Sequence, residues 1–233
     1  MMKTGLARNL IIAALALTVL LAACTKPEQS PSNQNSAQPG GTSTKPSTTI
    51  GVYRPSNSTF YLHTSNMPGN PEIAMTFGPQ AGIPVAGDWD GDGNTTVGIY
   101  KPSEATFYLR NGNSPGNADV TVAFGAKGSV PLVGDWDGNG STTVGVYNSN
   151  ESTFYLRNSN ASGSADVTIV YGVKGDVPLA GDWDGNGSVT IGVYRPADST
   201  FYLRNANASG NADYYVQFGA SNDIPIVGHW EKQ

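Results

Sequence analysis

Residues 87–94 read GDWDGDGN: three aspartates, three glycines and one asparagine around a single tryptophan. Counted from Asp88, oxygen donors fall at positions one, three and five: Asp88, Asp90 and Asp92. Position six is Gly93, position seven Asn94 and position nine Thr96. Calcium takes about six to eight oxygens, and alternating carboxylates with a glycine at the sharp turn supply that geometry. Near copies, GDWDGNGS, occupy residues 134–141 and 181–188. They offer Asp135, Asp137, Asn139, Ser141 and Thr143, then Asp182, Asp184, Asn186, Ser188 and Thr190. The expectation is up to three calcium ions, weaker where asparagine replaces aspartate at position five. An EF-hand is excluded, because position twelve is Ile99, Val146 or Val193 rather than a bidentate glutamate. The competing reading is a tight turn, since Asp-Gly and Asn-Gly form turns without any metal.

The elements that must position these loops repeat with them. Trp89, Trp136, Trp183 and Trp230 stand 47 residues apart, and Phe60, Phe107, Phe154 and Phe201 keep the same interval. A period of this size signals a solenoid, a propeller or an array. Each unit holds four strand-like runs, exemplified by residues 130–136, 142–147, 152–158 and 165–172. In the fourth run Val167, Ile169 and Tyr171 share one face, and Thr168 and Val170 the other. Gly, Asn, Asp and Ser clusters separate the runs, and no window carries a helical apolar period. The fold class expected is all-β: a four-bladed β-propeller of 47-residue repeats. Thr48 aligns with Thr95, at a second strand, while residues 224–230 form a first strand. Three whole blades and one shared blade would follow, the ring closing by pairing of residues 224–230 with residues 49–53.

Residues 1–23 are not part of this array. Lys3 and Arg8 precede an apolar run over residues 10–23, which is short for a bilayer span and fits a secretory signal. The run ends LAAC, similar to the lipobox of bacterial lipoproteins, in which the cysteine carries lipid. That resemblance makes Cys24, the sole cysteine, the lipidated residue and places the protein in a bacterial cell envelope, facing away from the cytoplasm. Residues 25–47 contain no large apolar side chain and cannot build a core. With Cys24 they form a tether, of roughly 25 Å root-mean-square reach over the flexible part. The remaining residues, 48–233, form the propeller domain.

Units of the form GDWDGDG…TVGIYKP…TFYLRN resemble the FG-GAP/VCBS-type repeats of bacterial surface and secreted proteins. The resemblance implies calcium in the Asp-rich loop between the first two strands of a blade, and a role in adhesion or glycan binding. Family loops often carry Asp at position nine, where this chain has Thr96, Thr143 and Thr190. In the third strand Tyr108 with Arg110, Tyr155 with Arg157, and Tyr202 with Arg204 lie opposite the core-facing Phe and Leu. An aromatic beside a cation can stack on a sugar and bond its hydroxyls. The alternative is a face packed on the next blade, with arginine bonding turn carbonyls. The recurring tryptophans read as wedges between blades, and Gly51, Gly98, Gly145 and Gly192 as points of close approach.

A net charge of −5 with dispersed arginines argues against a nucleic-acid partner. Two histidines and no nucleophile motif give catalysis little support. Near-identical blades repeat the same groups, whereas catalysis needs unlike groups converging at one point. The expectation is a non-enzymatic, membrane-anchored module binding glycan or a surface protein. A ligand-free structural spacer is the alternative, and a carbohydrate-active enzyme the least favoured reading.

Overall fold

The computed structural model describes residues 49–64, 66, 68–220 and 222–228. The expected signal segment, Cys24 and the tether lie outside the described residues. The described residues form strands and turns with no helix.

Four antiparallel sheets follow one another along the chain, consistent with the blades of a β-propeller. Sheet A holds β1 (Gly51–Arg54), β2 (Thr59–Leu62) and β3 (Ile73–Thr76). Sheet B holds β4 (Ile83–Gly87), β5 (Thr96–Lys101), β6 (Thr106–Leu109) and β7 (Val120–Ala123). Sheet C holds β8 (Val130–Gly134), β9 (Thr143–Asn148), β10 (Thr153–Leu156) and β11 (Val167–Val170). Sheet D holds β12 (Val177–Gly181), β13 (Thr190–Arg195), β14 (Thr200–Leu203) and β15 (Tyr214–Gln217). Within each sheet the strands pair in sequence order, and β8 lies beside both β4 and β12.

Period-two alternation decides which faces are buried. In β10, Phe154 and Leu156 are fully buried; in β11, Ile169 is buried while Thr168 and Val170 face solvent. These side chains, with Trp136 and Tyr147, meet Ile191 and Val193 from β13 of the next sheet. The same contact joins sheet B to Val144 and Val146, and sheet A to Val97 and Ile99. Each aliphatic side chain so buried contributes about 1.5–3 kcal/mol. The tyrosine before each hairpin leans on the phenylalanine opposite, as in Tyr147–Phe154 at 4.6 Å between ring centroids. One packing is therefore used three times.

Glycine in the second strand makes room for the tryptophan. A Cβ built on Gly145 would stand 2.9 Å from Leu156 Cδ2 and 3.1 Å from the Trp136 ring. Gly98 meets Leu109 and Trp89 in the same way. The close approach expected from the sequence is thus side chain onto backbone, with the indole lying across the glycine.

The expected ring closure is not formed. Among the described residues β1 is hydrogen-bonded to β2 alone, and residues 224–228 belong to no strand. Sheet A therefore lacks the inner strand that β4, β8 and β12 provide elsewhere. The three interfaces are close-packed copies of one contact, and four sheets held in that contact leave the first and last packing faces open. Ile50 and Val52 on sheet A and Phe218 beyond β15 remain exposed.

Replacing Gly145 with alanine pushes a methyl group into Leu156 and Trp136 with no free volume beside them. We expect a loss of about 1–3 kcal/mol, typical of an overpacked core. Gly140→Ala is the comparison at an exposed loop site with open space around its Cβ but φ of +92°, so its cost comes from the backbone alone. Chemical denaturation of both variants checks the first value; an unchanged midpoint for Gly145→Ala would refute the packing argument.

Candidate functional site: the aspartate loops

Each aspartate loop joins the first strand of a sheet to the second. In the first loop, Asp88 Oδ1 accepts hydrogen bonds from the backbone N–H of Gly91 at 2.8 Å and Asp92 at 3.1 Å. Its Oδ2 accepts from Gly93 N–H at 2.8 Å. Asp135 holds the N–H groups of Asn139 and Gly140, and Asp182 those of Asn186 and Gly187. The residue at position five caps the loop's end: Asp92 accepts from Asn94 N–H, Asn139 from Ser141 N–H, Asn186 from Ser188 N–H. The chain winds this tightly because the two glycines of each loop take positive φ, +74° at Gly91 and +85° at Gly93 in the first.

The aspartate at position one is thus the organiser of the turn in all three loops. The second aspartate, Asp90, Asp137 or Asp184, is exposed. In the first loop, one oxygen from each of Asp88, Asp90 and Asp92 lies within 4.8 Å of the others, a group that could hold a metal ion. Loops two and three carry Asn139 and Asn186 at the fifth position, so the three-carboxylate arrangement is particular to the first among the described residues.

Threonine at position nine does something else. Thr96 is buried, and its hydroxyl lies within hydrogen-bonding distance of two carbonyl oxygens, Gly87 O at 3.3 Å and Arg110 O at 2.6 Å. Thr143 and Thr190 are buried likewise, facing Gly134 O and Gly181 O. These hydroxyls tie the base of the loop to the adjoining strands. That is a different role from the ligand position expected for them. Ser141 Oγ and Ser188 Oγ lie against the glycines of the preceding loop, Gly91 and Gly138.

The loops are also laced to one another. Thr142 N–H donates to Asp88 O at 2.7 Å, and Val189 N–H to Asp135 O at 2.9 Å. Asn160 Nδ2 donates to both Trp89 O and Thr142 O, and Asn207 Nδ2 to both Trp136 O and Val189 O. These asparagines carry no signal in the sequence beyond their 47-residue recurrence.

The third-strand pairs separate into two roles. Arg110, Arg157 and Arg204 each form an ion pair nine residues on, with Asp119, Asp166 and Asp213. Each guanidinium also bonds carbonyls of the following turn, such as Asn117 O for Arg110 and Asn211 O for Arg204. In sheet A, His63 and Glu72 occupy the corresponding places and lie 2.9 Å apart. Tyr108, Tyr155 and Tyr202 are half-buried and pack against the preceding sheet's core. Their hydroxyls donate to Glu104, Glu151 and Asp198. The six residues are thus half-buried, each with a hydroxyl or guanidinium already bonded within the chain. The recurring Arg-to-Asp spacing was readable in the sequence and identifies the partners that sequence reasoning missed.

No family model and no curated protein matches the chain. One solved structure, "Crystal structure of BBS1N in complex with ARL6DN, soaked with mercury", is similar over 73% of this chain and 53% of that one, with a TM-score of 0.44 and 11% identity.

The hydrogen bond from Gly187 N–H, followed by those of Asn186 and Gly185, holds the Asp182 carboxyl below its ordinary value of 3.8. A depressed folded-state pKa contributes stability above the unfolded value and loses it as pH falls through the folded one. We therefore expect the Asp182 carboxyl carbon to titrate below 3.8 by NMR. Asp182→Asn should flatten part of the fall in melting temperature as pH drops below the ordinary carboxylate value of 3.8. A midpoint at or above the ordinary value would overturn the turn-organising role of Asp182.

Proposed function

We propose that this chain is a non-catalytic protein of the bacterial cell envelope, exported by residues 1–23 and anchored in the membrane through lipid on Cys24. Residues 24–47 tether a β-propeller-type module of the FG-GAP/VCBS kind, residues 48–233, whose role is adhesion or recognition of a glycan or surface protein. The observation that carries this reading is the sameness of the polar groups from sheet to sheet. Each of sheets B, C and D presents one acidic loop, one Tyr–acid pair and one Arg–Asp pair, in equivalent bonding. Such an arrangement supports repeated weak binding summed through effective concentration, and offers no convergence of unlike groups for catalysis.

In this reading the ligand meets the half-exposed rings of Tyr108, Tyr155 and Tyr202. Arg110, Arg157 and Arg204 hold the adjoining turns in shape. A screen of the full chain against immobilised glycans tests it: binding is expected, and Tyr108→Ala with Tyr155→Ala and Tyr202→Ala should weaken it more than the three single changes combined. Binding of no glycan and no surface protein would favour the ligand-free scaffold, a reading supported by how many loop and arginine groups are already spent on internal bonds.

Calcium belongs to the same proposal, at the first loop. Asp88, Asp90 and Asp92 would hold the ion, their hard oxygens suiting calcium, and Asp88 would do so through the remaining lone pair of Oδ2, since its Oδ1 already accepts two backbone bonds. Loops two and three, with fewer carboxylates, are weaker sites or turns only. At calcium ten times the dissociation constant, one site raises stability by about 1.4 kcal/mol. Melting temperature should rise with millimolar calcium, fall with chelator and respond poorly to magnesium, which demands a tighter octahedron. Asp90→Ala should remove the first loop's part of the response and leave any from loops two and three; a wild-type protein indifferent to calcium would show that the first loop is only a turn.

The segment 224–228 completes the propeller reading as the inner strand of sheet A, seated beside β1.

A further inference from the structure

The two ends of the sheet stack are halves of the contact that the stack uses three times. Val97 and Ile99, Val144 and Val146, and Ile191 and Val193 press on the preceding sheet and are 0–3% exposed. Their counterparts 47 residues before Val97 and Ile99 are Ile50 and Val52, which are 63% and 59% exposed. On sheet D the counterparts of buried Phe124 and Tyr171 fall at Phe218, which is 73% exposed. The face that sheet D needs is the face that sheet A presents.

A second observation concerns charge. In sheet D, Asp176 stands just before β12 and is buried, and Arg195 at the end of β13 grips it through Nε at 3.0 Å and Nη2 at 2.9 Å. Arg195 also stacks over the Tyr202 ring at 4.3 Å. Sheet A has the same arginine, Arg54, stacked over Tyr61 at 4.5 Å, but no inner strand to bring it an aspartate. The missing aspartate is Asp223, one period after Asp176 and directly before the segment 224–228. Sheets B and C have Gly82 with Lys101 and Ser129 with Asn148 at these places, so an Asp–Arg match belongs to sheet D and to this junction.

We propose that the segment 224–228 of one chain seats beside β1 of a second copy of this chain, and that sheet A of that copy covers sheet D of the first. This rests on the reading of the segment as sheet A's inner strand and adds whose strand it is. The register follows from β4 on β5, where Pro84 faces Ile99 and Ala86 faces Val97. It sets Pro225 opposite Val52 and Val227 opposite Ile50, with Asp223 reaching Arg54. A second copy fits because the chain's own segment is in no strand and β1 pairs with β2 alone among the described residues, while a second copy would repeat the existing packed interfaces unchanged. The contact is head-to-tail, and two chains joined by it twice make a closed ring of eight blades.

Directly opposed residues in an antiparallel pair are close enough for a disulfide. Full-length chain with Cys24→Ser, which has no other thiol, carries either Val52→Cys or Pro225→Cys with different affinity tags. The two are co-expressed, extracted in detergent, oxidised and weighed by native mass spectrometry. Both sites are exposed or half-exposed in the single chain, and Val52→Cys leaves Ile50 to make the other aliphatic contact with sheet D. The expected result is a disulfide joining the two tagged chains and a native mass of two chains. A chain bearing both cysteines is the control. If it locks as a covalent monomer while the mixed pair stays unlinked, the strand seats on its own chain and the second copy is overturned. If no disulfide forms in either preparation, the seating of the segment on β1 is overturned as well.

Discussion

The structure depends on one contact: two aliphatic side chains from the second strand of a sheet pressed into the aromatic face of the sheet before it. Val144 and Val146 against Trp89, Phe107 and Phe124 are one instance, and the others are copies. No sheet here has a core of its own. A four-residue strand buries one face only when a neighbour covers it, so the stack is stable as a row and each end is a debt. The glycines of the second strand follow from the same contact, because the indole can lie across the strand only where no Cβ rises to meet it.

Polar groups serve that contact by fixing how far apart and at what angle successive sheets stand. The aspartate loop leaves several backbone N–H groups pointing inward, and the first aspartate of each loop satisfies them. Its own carbonyl then receives the next sheet, at Asp88 O from Thr142 and at Asp135 O from Val189. Buried threonine closes the base of the loop, and Asn160 and Asn207 bridge neighbouring sheets from the other side. An acidic loop can thus be indispensable to the fold with or without an ion. A cation at the first loop would relieve the mutual repulsion of Asp88, Asp90 and Asp92, which loops two and three have lessened by substituting asparagine.

Much of the fold was legible in the sequence because both of its periods are physical. The two-residue alternation of residues 165–172 places Ile169 and Tyr171 inside and Thr168 and Val170 outside. The 47-residue period then carries every such assignment to the other blades. Less was legible where a residue's partner lies across a turn or in another sheet. Thr96 sits at a position that suits a ligand in sequence but is buried beneath the loop. Arg110 could be read as a sugar contact or as a tie to turn carbonyls; the turn carbonyls hold it, together with Asp119, whose part was not read. Ring closure was inferred from complementary repeat phases, which say that a first strand must join sheet A but not whose strand it is.

Near-identical repeats create an ambiguity that their differences resolve. By hydrophobic pattern alone, a first strand could add to any second strand in the array, since Pro84, Pro131, Pro178 and Pro225 each precede an aliphatic residue, Val85, Leu132, Leu179 or Ile226. The positions flanking that strand break the symmetry. Lys101 and Asn148 face no acid there, while Arg195 and Arg54 each have an aspartate at the matching place, Asp176 and Asp223. Asp176 is buried with its charge, a costly placement unless the partner is fixed, and the bidentate arginine fixes it. An aspartate misplaced beside Asn148 would lose its counter-charge and its paired hydrogen bonds together. The apolar contact therefore drives sheets to stack, and the two Asp–Arg matches determine which strand is admitted to which sheet.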